Sequence, residues 1–259
     1  MTKQPSWLIH HYDTVGSTMD VASRLAQLGA RDRTVVFSVE QTAGRGRGGR
    51  SWHAPPGTAV FCTFILRPSV LPERLSTLPL ISGVAVAEAI ENISRCDAQL
   101  KWPNDVWLGS DPENAKVAGV LVTSSLRAKT VHHALVGIGI NVLAQSADLP
   151  RGATSLRGAT GVTARPEDVF NALLQQFDVI YEGFVAPGGR PSLDHWHSRA
   201  ALLGEMVTIE DASRSLTGVF TGIDEDGALL LETPGLASRK VVAGELVRGP
   251  RPVRQSREL

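Results

Sequence analysis

Cysteine is almost missing from this chain: among 259 residues only Cys62 and Cys96 carry thiols. Two thiols cannot form a disulfide framework. Both read as buried free thiols in a reducing cytoplasm, Cys62 within an apolar run and Cys96 just after a helical pattern. Net charge is missing as well. Lys plus Arg and Asp plus Glu each number 26, so no general attraction to nucleic acid or to an anionic membrane is implied. Long apolar runs are absent. Stretches such as Ala59–Leu66 fall far short of the roughly 20 residues a spanning helix needs. The first residues are polar with no apolar segment behind them, so no signal peptide is read. Neither a G-x-S-x-G elbow nor an H-E-x-x-H zinc motif occurs. His10-His11, His132-His133 and His195-x-His197 lack a metal-ligand frame. No internal repeat is evident. These absences point to a globular cytoplasmic protein whose chemistry is local.

What is present is concentrated in one stretch. Gly44 to Arg50 holds four glycines and three arginines, followed by Ser51 and Trp52. Glycine lets backbone N–H groups approach a ligand closely, and arginine brings a permanent planar cation. The combination predicts a mobile loop that wraps an anion. Two familiar phosphate loops fit it by accident. Gly44, Gly46 and Gly49 satisfy G-x-G-x-x-G, and Arg50-Ser51 stands where a P-loop would have Lys-Ser. Both patterns need a helix to start there, and Pro55-Pro56 denies it. The acidic residue of a dinucleotide site is missing too, since no Asp or Glu occurs between Trp52 and Glu73. A nucleic-acid reading, with Arg45, Arg47 and Arg50 on phosphates and Trp52 on a base, lacks a wider basic face.

Around this loop the chain reads as α+β. Ser6–His11 alternates like an edge strand. Ser17-x-x-Asp20 resembles a capping box that opens a helix ending at Gly29. Strands are predicted over Thr34–Val39, Ala59–Leu66, Gln99–Trp102, Lys116–Thr123 and Val131–Ile138. Helices are predicted over Leu78–Arg95, Pro166–Phe184 and Ser192–Leu203, with Glu88 and Glu91 on a solvated face. From Gly204 short strand-like runs separated by turns such as Asp224-Glu225-Asp226-Gly227 predict a small β-barrel. The predicted layout is a main domain at 1–203, a barrel at 204–249 and a basic tail at 250–259. Lys101-Trp102-Pro103-Asn104-Asp105 and Lys116-Val117-Ala118-Gly119 place further cations, an aromatic and a carboxylate at strand ends. Each has a plain alternative: Trp102 as core, Asp105 as an Asx turn, Lys116 as a solvated strand start. Together they favour an enclosed site for a small phosphate or carboxylate.

These residues resemble the biotin–protein ligases. Gly44–Trp52 is similar to their G-R-G-R-x-G-R-x-W loop, Lys101–Asp105 to their K-W-P-N-D turn, and Lys116–Leu121 to their K-[LV]-A-G-I-L strand. Ser17-Thr18, Gly137–Asn141 and Gly244–Arg248 match weaker segments in the same order. The resemblance implies a mixed-sheet catalytic domain of the class II synthetase-like type with a C-terminal SH3-like barrel. It also implies two half-reactions: activation of biotin by ATP to biotinyl-5′-adenylate, then transfer to a lysine of a biotin carboxyl carrier domain. By this likeness Ser17, Thr18 and Gln41 meet the ureido ring of biotin, and Gly44, Arg45, Gly46, Arg47, Lys116 and Gly119 complete its site. Arg47, Trp52, Lys101, Asn104, Asp105, Asn141 and Arg248 would meet the nucleotide. Lys116, Arg47 and Asp105 would be catalytic, with Asp105 a candidate Mg²⁺ ligand. A lipoate ligase of the same fold is the rival, and lipoate has no ureido group.

The chain departs from the pattern at Met19, where asparagine is usual, at Thr123, where glutamate is common, at Ala115, where a basic residue is frequent, and in the long segment 109–115. Sixteen residues precede Ser17, too few for a winged helix-turn-helix, which predicts a monofunctional ligase without operator binding. A monomer and a homodimer both remain compatible, and no membrane partner is expected.

Overall fold

The computed structural model describes residues 6–109, 115–187, 193–210, 215–233 and 238–248. The elements run β1 (Leu8–Val15), α1 (Thr18–Gln27), β2 (Thr34–Gln41), β3 (Ala59–Leu66), α2 (Leu78–Ser94), β4 (Ala98–Lys101), β5 (Asp105–Leu108), β6 (Lys116–Arg127) and β7 (Thr130–Asn141). They continue with α3 (Leu156–Thr160), α4 (Pro166–Val185), α5 (Asp194–His197), β8 (Met206–Glu210), β9 (Ser215–Ile223), β10 (Leu229–Glu232), β11 (Arg239–Val241) and β12 (Glu245–Arg248). Most of the long segment before Lys116 (110–114) and the basic tail at 250–259 lie outside the described residues.

Seven strands form one mixed sheet in the order β1-β2-β3-β7-β6-β5-β4. Only β1 and β2 run parallel; every other neighbouring pair is antiparallel. Because strand side chains alternate, the sheet has two distinct faces. Val60, Cys62, Phe64 and Leu66 of β3, with Val136, Ile138 and Ile140 of β7, belong to the core under α2 and α4. Helix α2 is rich in small and apolar residues and is buried almost all round. Helix α4 starts at Pro166, whose missing N–H costs nothing at that position. It turns Phe170, Phe177 and Tyr181 toward the sheet, and Phe177 stacks on Phe64 with ring centroids 3.9 Å apart. The opposite face is covered at one end by α1, through Met19, Ala22 and Ala26 against Val36, Ile65 and Leu135. The rest of that face stays open for the site.

Arg33 locks the start of β2 to α4. It is buried, donates to Asp178 (2.5 Å) and Glu182, and lies over the Trp7 and Tyr181 rings. A buried cation needs such pairing, since losing one partner leaves an uncompensated charge.

The C-terminal strands form a second, antiparallel sheet in the order β11-β10-β9-β8-β12. Its β9–β10 turn docks on the main body. Asp224 Oδ1 accepts from the Asp226 and Ala228 N–H groups, shaping the turn. Gly227 sits at φ +81, and a Cβ there would come within 2.7 Å of Leu80 in α2. Its carbonyl accepts from the Trp102 indole at 3.0 Å.

Several expectations are corrected. Ser17 occupies the N-cap of α1, but its side chain makes no capping bond. The helix expected over Ser192–Leu203 shortens to the four residues of α5. The chain instead pairs with the edge of β4, where Leu100 N–H donates to Arg199 O and Ala201 N–H to Leu100 O. Glu88 and Glu91 are not a solvated face. Glu91 binds the Arg199 guanidinium through both carboxylate oxygens, and Glu88 meets His195. Cys62 is buried as expected, but Cys96 is exposed.

Two outcomes follow from this packing. Burial pushes the Cys62 thiol above its ordinary range, and the thiolate is the reactive form. A thiol alkylating reagent near neutral pH is expected to modify Cys96 alone in the native protein and both cysteines in denaturant, as read by intact mass. Trp102→Phe removes the donor to the buried Gly227 carbonyl. It is expected to destabilise the fold by about 1–3 kcal/mol, and an unchanged denaturation midpoint would refute that docking role.

Candidate active site

The site begins with a register. Gly119 of β6 lies directly opposite Gly139 of β7, and Gly139 in turn lies opposite Phe61 of β3. Two facing residues without side chains leave a hollow in the open face of the sheet. The Trp52 indole sits in it. A Cβ on Gly119 would stand 2.8 Å from the indole, and one on Gly139 only 2.7 Å away. Two residues along, Gly137 faces Leu121. A Cβ on Gly137 would meet Met19 Sδ at 2.8 Å, so the residue that departs from the expected asparagine forms an apolar wall instead.

The glycine–arginine loop returns Trp52 to this place. Gly46 N–H donates to Arg50 O at 2.6 Å and Trp52 N–H to Gly44 O at 3.0 Å, closing the loop on itself. Gly48 and Gly49 adopt φ +66 and +77, the left-handed region that side chains disfavour. Gly44 has no room for a Cβ, because the Trp52 carbonyl occupies that position.

Between sheet face, loop, α1 and the β4–β5 turn lies a cavity of about 450 Å³. One end is polar and uncharged. The Thr18 N–H donates to Gln41 Oε1 at 2.7 Å, the Thr18 hydroxyl donates to the same oxygen at 3.0 Å, and the Thr63 hydroxyl donates to Thr18. Because a backbone N–H can only donate, the oxygen of the Gln41 amide must face Thr18, which leaves its NH₂ group as a free donor pair. Beside it the Ser17 hydroxyl is buried, with no partner among the described residues.

The other end is charged. Lys116 Nζ meets Asp105 Oδ1 at 2.6 Å and lies 5.4 Å from the centre of the Trp52 ring. Lys101, paired across the hairpin with Asp105, places its ammonium over Trp107 at 5.2 Å. Burial lowers the pKa of Lys101. Burial also lowers that of Arg47, with the nearby Arg50 cation adding to the effect. All three loop arginines have protein partners: Arg45 with Asp20 (2.7 Å), Arg50 with Glu245 (3.1 Å), and Arg47 with the Gly244 carbonyl (2.5 Å). Two of these partners come from β12 (Glu245) and the residue just before it (Gly244). The buried Asn141 amide donates to Thr154 O, while its Oδ1 has no partner. The Trp52 indole N–H is likewise buried and unpaired.

The structure thus gathers Ser17, Thr18, Gln41, Arg45, Gly46, Arg47, Trp52, Lys101, Asn104, Asp105, Lys116, Gly119 and Asn141 around one cavity. Gly44, the first residue of the loop, is held to Trp52 by its carbonyl and does not line the cavity. Asn104 is drawn into the fold: its side-chain amide donates to Val120 O, and its carbonyl accepts from Val120 N–H. Trp102 is core, as its plain reading had it. The side chain of Arg248 lies outside the described residues. Sequence reasoning passed over Thr63, although it is the only hydroxyl in the apolar run of β3. It also passed over Gly244 and Glu245 as partners of the loop. Among the described residues no three His, Cys, Asp or Glu side chains come together, and one oxygen of Asp105 is already on Lys116. This donor set does not fit a metal held by the protein alone.

Residues 12–141 match the model of the biotin/lipoate A/B protein ligase family, and residues 202–249 match the biotin protein ligase C terminal domain. A biotin–[acetyl-CoA-carboxylase] ligase of Paracoccus denitrificans is 36% identical over 80% of this chain and 86% of its own length. The bifunctional ligase/repressor BirA of Bacillus subtilis is 34% identical over 87% of this chain and 69% of its own. The biotin protein ligase of Aquifex aeolicus, solved with biotin and ATP, superposes with a TM-score of 0.76 at 30% identity, covering 93% of this chain and 99% of that one. With both sheets, the loop and the turn matched in order, the chain belongs to the biotin/lipoate A/B protein ligase family, among the biotin protein ligases.

Proposed function

We propose that this chain joins biotin to a lysine of a biotin carboxyl carrier domain at the expense of ATP. The observation that carries the reading is the uncharged, unsatisfied end of the cavity. Buried polar atoms without partners are costly, and here the buried Ser17 hydroxyl, which has no partner among the described residues, lines the same cavity as the half-buried Gln41 amide, whose NH₂ is left as a donor. A cyclic urea offers both N–H donors and a carbonyl acceptor, so it answers the two groups at once. A dithiolane ring offers neither, which disfavours lipoate.

In this pose the fused rings of biotin lie among Ser17, Thr18 and Gln41, with Met19 and Leu121 against their apolar side. The carboxylate then extends toward Lys116. The first half-reaction brings that carboxylate against the α-phosphate of ATP, anion against anion. Arg47, Lys101 and Lys116 lower this repulsion and stabilise the charge that develops at phosphorus. The carboxylate oxygen forms a bond to the α-phosphorus and pyrophosphate leaves. In the second half-reaction the amine of the acceptor lysine attacks the acyl carbon, AMP leaves, and an amide remains. Asp105 stands at the reacting centre, able to orient the incoming amine once Lys116 turns to the phosphate. Trp52 is the aromatic surface for the adenine, and Asn141 Oδ1 a free acceptor for the nucleotide. Mg²⁺ would arrive with the phosphates of ATP; no step here is routed through it.

Three measurements test this. Biotin should stimulate exchange of pyrophosphate into ATP by the purified chain, and calorimetry should show heat with biotin and none with lipoate. Tight lipoate binding without biotin heat would overturn the reading. Lys116→Ala is expected to slow adenylate formation about a hundredfold or more while leaving the fold intact, so wild-type exchange in that variant would remove Lys116 from its role. Ser17→Ala should weaken biotin by up to about tenfold, the worth of one neutral hydrogen bond, with little change in the KM for ATP.

A further inference from the structure

Six cationic side chains line the cavity: Arg45, Arg47, Arg50, Lys101, Lys116 and Arg151. Among the described residues only two carboxylates, Asp105 and Glu245, line it with them. Three of the cations are in ion pairs, Arg47 is on a backbone carbonyl, and Lys101 is buried over Trp107. Arg151 differs from all five. It is exposed, and among the described residues it has no ion pair and donates no hydrogen bond. No motif of the chain singles it out.

Its backbone, by contrast, is fixed. Ala153 N–H donates to Pro150 O, closing a tight turn around Arg151. That turn is sewn to the first residue of β6: Lys116 N–H donates to Gly152 O at 3.1 Å, and Thr154 N–H to Lys116 O at 2.9 Å. The turn therefore keeps Arg151 in register with Lys116, at the rim of the same cavity. An unpaired cation tied to the strand that carries the reacting lysine is placed for the outer part of a polyanion.

We infer that Arg151 binds the β- and γ-phosphates of ATP and holds the pyrophosphate as it departs. The inference rests on the reading above, that biotin's carboxylate attacks the α-phosphate. When that bond forms, the bond from the α-phosphorus to the α–β bridging oxygen breaks, and its electron pair leaves with pyrophosphate. Negative charge grows on the leaving group, away from Lys116 and toward the rim. A guanidinium there stabilises it through charge-assisted hydrogen bonds that strengthen as the charge develops.

The test uses the full chain with Arg151→Ala and Arg151→Gln. Three quantities are measured: the KM for ATP, inhibition by pyrophosphate in the exchange reaction, and the Kd of a non-hydrolysable biotinyl-adenylate analogue, which has no β- or γ-phosphate. Both variants are expected to raise the ATP KM and weaken pyrophosphate by about tenfold or more, the loss of one charge-assisted contact. The analogue should bind as it does to wild type, and Arg151→Lys should recover part of the loss. Unchanged ATP and pyrophosphate constants would overturn the inference while leaving the ligase reading standing. Equal loss of analogue binding would overturn it too, by showing a structural role. Absence of biotin-dependent exchange in the wild-type chain would instead overturn the ligase reading, and the inference with it.

Discussion

The open face of the large sheet is laid out around the hollow where Gly119 meets Gly139. Adjacent strands bring facing residues to within a few ångströms, so a side chain at either position would occupy the space of the indole. The loop from Gly44 to Trp52 closes as it does because the hollow accepts one flat aromatic ring and nothing branched above the backbone. Once Trp52 is seated, the loop arginines are carried to the rim and Lys116 comes to lie beside the ring. The uncharged end at Ser17, Thr18 and Gln41 and the charged end at Lys116 and Asp105 belong to the same cavity, with the Trp52 ring and Met19 lining it between the strands and α1. One cavity over that gap thus joins a part suited to a neutral heterocycle to a part suited to anions.

The charged end concentrates cations without leaving most of them bare. Arg45 and Arg50 pair with carboxylates in exposed positions, where such pairs contribute about 0–1 kcal/mol. A phosphate can exchange for these partners at little cost. The Lys116–Asp105 pair is more sheltered, and exchanging it frees the carboxylate at the same moment that the lysine is taken. Lys101 and Arg47 are held by burial in surroundings that disfavour their own charge, so an incoming anion relieves them.

Features carried by contiguous residues were legible in the sequence. The Gly44–Trp52 loop, the turn at Lys101–Asp105 and the strand opening at Lys116 each announce a geometry through local composition, and Pro55-Pro56 excludes the helix that two decoy motifs require. Features that depend on pairing across the chain were not. Nothing local says that Gly119 will face Gly139 and not Ile138, although a shift of one residue would turn the hollow to the other face. Thr63 carries its meaning only through Thr18, which lies 45 residues away. The grip of Gly244 and Glu245 on the loop reaches across 197 and 195 residues. Ser17 misled because an N-cap serine usually spends its hydroxyl on the helix, and here that hydroxyl is withheld.

Trp102 belongs to the core, and its position there has a mechanical meaning. Its indole is anchored in the second sheet, while Lys101 and Asp105, one residue before and three after, project into the cavity. Two of the loop arginines, Arg47 and Arg50, are held from β12 and the residue before it. The charged end of the cavity is therefore gripped from two directions by one body. Any tilt of the small sheet must be transmitted to the turn and to the loop together, so the charged groups they carry move as a jaw and not as independent fingers.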